Sequence, residues 1–350
     1  MEDFKNHTYS IGKARESVTE LLRNNWDKCS NEELGNLIKK HISTLSDNSE
    51  FNLSALQAYD SLQDNESKYI YHHLYLKNIP AGYWEAFMFR IISKTLKNRL
   101  VEKGKNLRAY NEYSTDFFFG KQYFDLPIVD WMSCSNNEIF IDCGAFDGWS
   151  IKGFIEFCGG KYDKIYSFEP IPSQYENTLI NINEAGIKRV ELIQKGVWNC
   201  KGVSNFVSNG GGSRIDNEGT IPVELVSIDE VIPENEKVTF IKMDIEGAES
   251  QALQGAVNTI RRCKPKLAIC IYHKPMDIIE IPILIKSILP EYKFYIRHHS
   301  PTRDETVLYA LPPTNNHNRT VTSMNINKIK KHLLPSSALY RWVKKILCER

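Results

Sequence analysis

The sequence predicts a doubly wound α/β domain with a mostly parallel sheet over residues 136 to 312, and three stretches predict it. Ile139 to Ser150, IFIDCGAFDGWS, is a short apolar run that ends in Asp142 and breaks at Gly144 and Gly148, before an amphipathic segment begins at Trp149. That is a buried strand, a tight turn and a helix start. Lys164 to Pro170, KIYSFEP, and Val238 to Asp244, VTFIKMD, repeat the form: each apolar run closes on an acid and gives way to a helical period. Apolar runs that alternate with helical stretches imply parallel strands joined by right-handed crossovers.

At 350 residues the chain is long enough for one large domain or two ordinary ones, and its 42% hydrophobic and 25% charged residues are those of a globular protein. A formal net charge of +1 gives no general field for nucleic acid, so none is expected as a partner. The eight cysteines are scattered without a CxxC pair, which reads as reduced thiols rather than a disulfide framework or a zinc site. MEDFKNHTYS has no basic region followed by an apolar core, and no apolar run approaches the roughly 18 residues of a membrane span. A cytoplasmic location is the default.

Residues 1–110 are polar, glycine-poor and helix-like. Ser30 and Glu33 form a capping-box pattern ahead of Leu34, Leu37 and Ile38, and an aromatic stripe at helical spacing runs from Tyr83 to Leu100. His72 and His73 have no partners at ligand spacing. Residues 111–135 are a connector rich in aromatics, among them Phe117, Phe118, Phe119, Tyr123 and Phe124. It reads either as packing over one edge of the main domain or as a wall over a substrate cleft.

Within residues 136–312 a helix with Tyr175, Leu179 and Ile182 on one face follows the second strand, and Val190 to Trp198 reads as a third strand. Two short β-like runs flank Asn209 to Ser213, whose three glycines make a hairpin tip or a loop that closes over substrate. A helix follows the fourth strand, Lys266 to His273 is a fifth, and strands near Phe294 and Thr306 complete about seven. Residues 313–350 are a polar linker and then a helix with Leu339, Trp342, Val343, Ile346 and Leu347 on one face and Arg341, Lys344 and Lys345 opposite. Such a helix either packs on its own domain or lies on an anionic membrane through residues 336–350.

The turn after the first strand suits a nucleotide-like cofactor, because glycines let backbone approach a ligand and a helix start presents free N–H groups. Phe146 stands where a dinucleotide fingerprint needs its second glycine, and no P-loop pattern is present. S-adenosylmethionine fits instead. Asp142, Gly144, Ala145 and Gly148 would take the methionine tail, with Asp142 beside its ammonium. Glu169 and Pro170 would hold the ribose, and Gly196 and Val197 would flank adenine. A carboxylate at the end of the second strand selects ribose hydroxyls in dinucleotide sites by the same logic.

DCGAFDGWS at 142–150, FEP at 168–170, KMDIEGAE at 242–249, IYHKPMD at 271–277 and ETVLYA at 305–310 together resemble the FkbM family of S-adenosylmethionine-dependent methyltransferases. The resemblance covers about residues 136–312, and YFD at 123–125 extends it upstream. It implies a class I methyltransferase (Rossmann-like) sheet of seven strands in the order 3-2-1-4-5-7-6, the seventh antiparallel. It also implies O-methyl transfer to a sugar, glycan or other hydroxylated natural product, as in polysaccharide biosynthesis. Family members often carry Asn where this chain has Phe146.

A hydroxyl acceptor gains from a base within hydrogen-bond reach. His273, after the fifth strand, is the first candidate, since imidazole titrates near neutrality. Asp244 and Glu246, after the fourth, orient the reactants or hold a divalent cation with His273. The alternative from another class is a non-catalytic cofactor-binding scaffold. The sequence leaves the acceptor open.

Overall fold

Strands covered on both faces must be apolar on both faces, and the runs at 138–143 and 240–243 are buried at every position. The computed structural model describes residues 36, 39, 49–64, 67, 68, 70, 71, 122–124, 126, 128–207, 214, 215, 219–274, 276–299 and 305–313. Helix α1 (Ser49–Asp60) and the short α2 (Val129–Met132) precede the sheet, which opens β1 (Glu138–Cys143), α3 (Trp149–Phe157), β2 (Tyr162–Phe168), α4 (Pro172–Glu184), β3 (Val190–Ile193). An excursion follows: β4 (Gly196–Val197), β5 (Gly202–Val207), β6 (Arg214–Ile215) and β7 (Ile221–Val226). The alternation resumes with α5 (Ile228–Val231), β8 (Phe240–Met243), α6 (Glu249–Gln254), α7 (Val257–Cys263), β9 (Lys266–Cys270) and α8 (Asp277–Ile288). Strands β10 (Lys293–His298) and β11 (Thr306–Leu311) close it.

Seven strands form one sheet in the order β10-β11-β9-β8-β1-β2-β3, and β11 alone runs against the direction of the other six. Counted in chain order from the β3 edge this is 3-2-1-4-5-7-6, as the resemblance implied. One face packs Phe140, Phe154, Phe240, Trp131 and Tyr309, with Phe140 stacked on Phe154 at 4.3 Å. The other packs Ile141, Met243, Leu253, Ile260 and Leu284. Strand order reverses between β1 and β8, and in an open sheet that switch point leaves a crevice at the strands' carboxyl ends.

The third strand is shorter than its sequence suggested. The chain turns after Ile193, with Lys195 N–H donating to the Ile193 carbonyl at 2.9 Å, and Gly196–Val197 joins a separate sheet ordered β4-β7-β5-β6. The helix after Gly247 is broken into α6 and α7 around Gly255, where a Cβ would stand 2.1 Å from the Trp198 carbonyl oxygen. In α4 the buried residues are Thr178 and Ile182, whereas Leu179 is exposed.

The described part of the N-terminal region packs on this domain. Ala55, Ala58, Tyr59 and Leu62 share a core with Ile281 and Leu284 of α8. Leu62 bridges to Phe294 of β10, and Gln63 N–H donates to the Phe294 carbonyl at 3.0 Å. The helical candidates at 30–38 (apart from residue 36) and 83–100, His72, His73, Phe117 to Phe119, the glycine-rich tip at 208–213 and everything after 313 lie outside the described residues. Among the described residues no helix is long and apolar enough to cross a membrane.

Candidate active site

The carboxyl ends of β1, β2, β8 and β9 open on a cavity of about 760 Å³. Of the residues singled out in the sequence, Gly144, Ala145, Glu169, Pro170, Gly196 and Val197 line one part of it, and Asp244, Glu246 and His273 another. Gly144 is there for a reason of space: at φ +89° its missing Cβ would lie 2.1 Å from the Asp244 carbonyl oxygen. The N–H groups of Gly144 and Ala145 donate to the Phe168 carbonyl at 3.0 and 3.1 Å, tying the turn to the end of β2. Phe146 takes φ +53°, a left-handed conformation costly for a bulky residue. Its N–H donates to Glu169 Oε2 at 2.9 Å, and its carbonyl accepts from Thr178 Oγ1 at 2.8 Å.

Glu169 is 3% exposed. Its other oxygen accepts from Ile171 N–H at 3.0 Å. Burial pushes the carboxyl up to about 7 despite those two N–H donors and the nearby Lys242. Each carboxylate oxygen retains a further lone pair for a ligand.

Asp142 and Gly148 are placed differently from their expected roles. Asp142 is fully buried and does not reach the cavity wall. Its Oδ2 accepts from Ser150 Oγ at 2.6 Å and Ser167 Oγ at 3.0 Å, and its Oδ1 faces Lys242 Nζ at 3.3 Å. The Lys242 ammonium already fills the place given to a ligand's ammonium. Lys242 also donates to the carbonyls of Cys143 at 3.2 Å and Gly144 at 2.6 Å, so the ion pair acts on the turn from behind. Gly148, also off the wall, is the N-cap of α3 at φ +85°.

On the opposite wall Asp244 is the hub. Tyr123 Oη donates to its Oδ2 at 2.6 Å and Tyr272 Oη to its Oδ1 at 3.1 Å. His273 presents Nε2 to Asp244 Oδ1 at 3.5 Å and to Glu246 Oε2 at 3.6 Å, while Nδ1 stands 2.9 Å from Glu249 Oε1. Burial opposes charge on His273, but Glu249, with Asp244 and Glu246, outweighs it and holds the imidazole up to about 9. A raised His273 favours the imidazolium at neutral pH, which lacks the lone pair a base needs. Burial acts against Asp244 too, and Lys242, His273 and Tyr123 nonetheless keep it below the usual carboxylate range.

Ligand atoms of Asp244, Glu249 and His273 lie within 4.8 Å of one another, a spacing open to a divalent cation. Glu249 Oε1 accepts from Ile245 N–H at 2.9 Å and faces His273 Nδ1 at 2.9 Å, while Glu249 Oε2 is buried without a hydrogen bond. Methyl transfer from a sulfonium needs no metal, and no step is routed through one.

Residues 142–297 match the family model for the methyltransferase FkbM domain. This segment is an FkbM methyltransferase domain. The chain is 27% identical to a solved FkbM methyltransferase from Methylobacillus flagellatus KT, with a TM-score of 0.52, over 74% of this chain and 58% of that one. It is also similar to the hexuronic acid methyltransferase AglP of Haloferax volcanii, at 25% identity over 103 residues, 28% of this chain and 43% of that protein. The chain thus spans less than two thirds of the length of either relative.

The FkbM domain's cavity also uses residues that sequence reasoning passed over. Lys242 reads as an ordinary charged residue in an apolar strand; only the register that sets it opposite Asp142 reveals the pair. Tyr272, two residues past β9, and Glu305, just before β11, line the wall, and Tyr123 lines it from upstream of residues 142–297. Tyr123 had two signals in the sequence, its place in the aromatic connector read as packing over an edge or as a cleft wall, and the YFD at 123–125.

Proposed function

We propose that the chain transfers a methyl group from S-adenosylmethionine to a hydroxyl oxygen of a sugar, glycan or other hydroxylated acceptor. The observation that carries this reading is one cavity with a buried, ligand-ready carboxylate, Glu169, at the end of β2 and an acidic cluster around His273 at the ends of β8 and β9. The hexuronic acid in the haloarchaeal relative's name favours a sugar as acceptor.

When bound, the cofactor supplies a methyl group on a sulfonium; the O–CH3 bond forms as the S–CH3 bond breaks, and the acceptor's hydroxyl proton is left for the protein. Glu169 would accept hydrogen bonds from ribose hydroxyls, and Gly196 and Val197 would flank the base. Alignment supplies most of the acceleration in such a displacement. The proton goes to a carboxylate, Asp244 or Glu246. His273 keeps its proton and orients the acceptor oxygen through Nε2–H, and Glu249 fixes the ring from behind.

The test is calorimetric titration with S-adenosylmethionine, S-adenosylhomocysteine and NAD, followed by transfer of labelled methyl into glycan extracts. Binding of the first two but not NAD, with label entering a carbohydrate, is the expected result. Cofactor binding with no transfer into any extract would favour the non-catalytic scaffold, and no binding would end the proposal.

A further inference from the structure

Tyr123 lies upstream of the FkbM domain at 142–297, yet it is 5% exposed and lines the cavity. Its short segment is fixed to the sheet on all sides. The Gln122 carbonyl accepts from Tyr309 Oη, and Gln122 Nε2 donates to Glu305 Oε2 at 2.7 Å. The Phe124 carbonyl accepts from Trp131 Nε1 at 3.1 Å, and the Phe124 ring packs against Phe240 at 5.3 Å and Phe140 at 5.9 Å. With its neighbours so anchored, the Tyr123 hydroxyl has little freedom. It meets Asp244 Oδ2 at 2.6 Å, the length of a strong bond to a charged acceptor.

We propose that Tyr123 is a positioning residue for methyl transfer: its hydroxyl, held by the upstream segment, fixes the Asp244 carboxylate in the orientation that receives the acceptor's proton. The active site is therefore completed from upstream of the segment, 142–297, that matches the family model. A carboxylate can rotate about its Cβ–Cγ bond, and one donor on each oxygen, Tyr123 on Oδ2 and Tyr272 on Oδ1, removes that freedom. Burial, with the charge of Asp244 beside it, keeps the Tyr123 hydroxyl protonated, so it remains a donor throughout the working range. Lys242 Nζ lies 5.1 Å from the centre of the same ring, which seats the ring over the buried Asp142–Lys242 pair. This inference rests on the methyl-transfer reading for its chemistry, but not for its geometry.

Tyr123→Phe keeps the ring and removes only the hydroxyl. S-Adenosylmethionine affinity should stay within about twofold, while kcat falls about 10- to 100-fold, the loss of one hydrogen bond to a charged acceptor. The acid limb of the kcat profile should move up, because a donor that favours the ionised carboxylate is gone. In a double-mutant cycle with Asp244→Asn, Tyr123→Phe should add almost nothing to the loss already caused by Asp244→Asn. Multiplied losses, or an unchanged kcat and acid limb, would overturn the proposal. The carboxyl 13C titration of Asp244 needs no acceptor and separates this idea from the function it serves: a raised midpoint in Tyr123→Phe supports the positioning role even in a protein with no detectable transfer, and an unmoved midpoint refutes it. If Tyr123→Phe loses its cooperative unfolding transition, Tyr272→Phe carries the same titration test from the other oxygen.

Discussion

Glu169 and His273 are both charged-group problems that burial and partners solve in opposite ways. The Glu169 carboxyl, raised from 4.5 to about 7 by burial, contributes stability that is fully present below about 4.5 and is lost as pH rises through about 7. A ligand whose hydroxyls donate to the ionised form restores what is lost. S-Adenosylmethionine affinity should therefore weaken about tenfold per pH unit below about 7 and level off above it. Glu169→Gln should bind more weakly above about pH 7, approach the wild type in acid and lack that slope, and a wild-type affinity flat from about pH 5 to 8 would remove Glu169 from the ribose role. His273 is raised from 6.5 to about 9, so its ion pairs stabilise fully below about 6.5 and fade as pH rises through about 9. The carboxyl groups Asp244, Glu246, Glu249 and Asp277 face it, with the Tyr272 ring 4.1 Å away. If the imidazolium orients the acceptor, kcat should fall as pH climbs through about 9; a kcat that instead rises there would return the base role to the neutral imidazole. Phe146 shows strain at the same scale, since it holds a left-handed conformation that Asn adopts more easily.

At the scale of elements the strand–turn–helix from β1 to α3 carries the cofactor side, and two of its glycines make a controlled comparison. Both have positive φ, +89° at Gly144 and +85° at Gly148. Added Cβ atoms differ: at Gly144 the nearest atom is the Asp244 carbonyl oxygen at 2.1 Å, and at Gly148 it is the Thr178 methyl at 3.5 Å. Gly148→Ala should cost about 1 kcal/mol, the penalty for the backbone conformation alone. Gly144→Ala should cost on the order of 3 kcal/mol or more and abolish cofactor binding, because two loops must part. Equal midpoints for the two variants in urea would show that the loops can separate freely. This element was legible because its signals are local: an apolar run, a terminal acid and glycines at short spacing. The break after Ile193 was not, since Val190 to Trp198 is one continuous run and only the pairing of Gly196 with Leu225 draws the chain into a second sheet. The lysine partner of Asp142 was hidden for the same reason. An acid at a strand end looks free until sheet register places Lys242 opposite it.

The molecule as a whole is larger than its FkbM domain, and the described N-terminal residues are part of its core. Arg297 of β10, 9% exposed, donates through Nη2 to Asp64 Oδ2 at 2.7 Å and through Nη1 to Ser67 Oγ at 3.1 Å, while Ile296 N–H donates to Ser67 Oγ at 2.9 Å. This polar clasp, with Leu62 on Phe294, covers the outer edge of the seven-stranded sheet, where an open strand would otherwise invite pairing with another chain. Burial disfavours the charged form of Asp64, but Arg297 and Ser67 outweigh it and hold the carboxyl below 3.8. A depressed carboxyl contributes stability that is present above its unfolded value and lost as pH falls through the folded one. Asp64→Asn should therefore cost about 1 to 3 kcal/mol at neutral pH, by weakening a largely buried ion pair, and much less in acid, where the wild-type carboxyl is itself protonated. Hydrogen exchange should show the loss concentrated in α1 and β10, with β1 and β8 protected as before, because the central strands do not depend on the clasp. Exchange that quickens equally in all four would mean that the N-terminal segment and the sheet unfold as one unit, and that the edge cover is a condition of the fold rather than an addition to it.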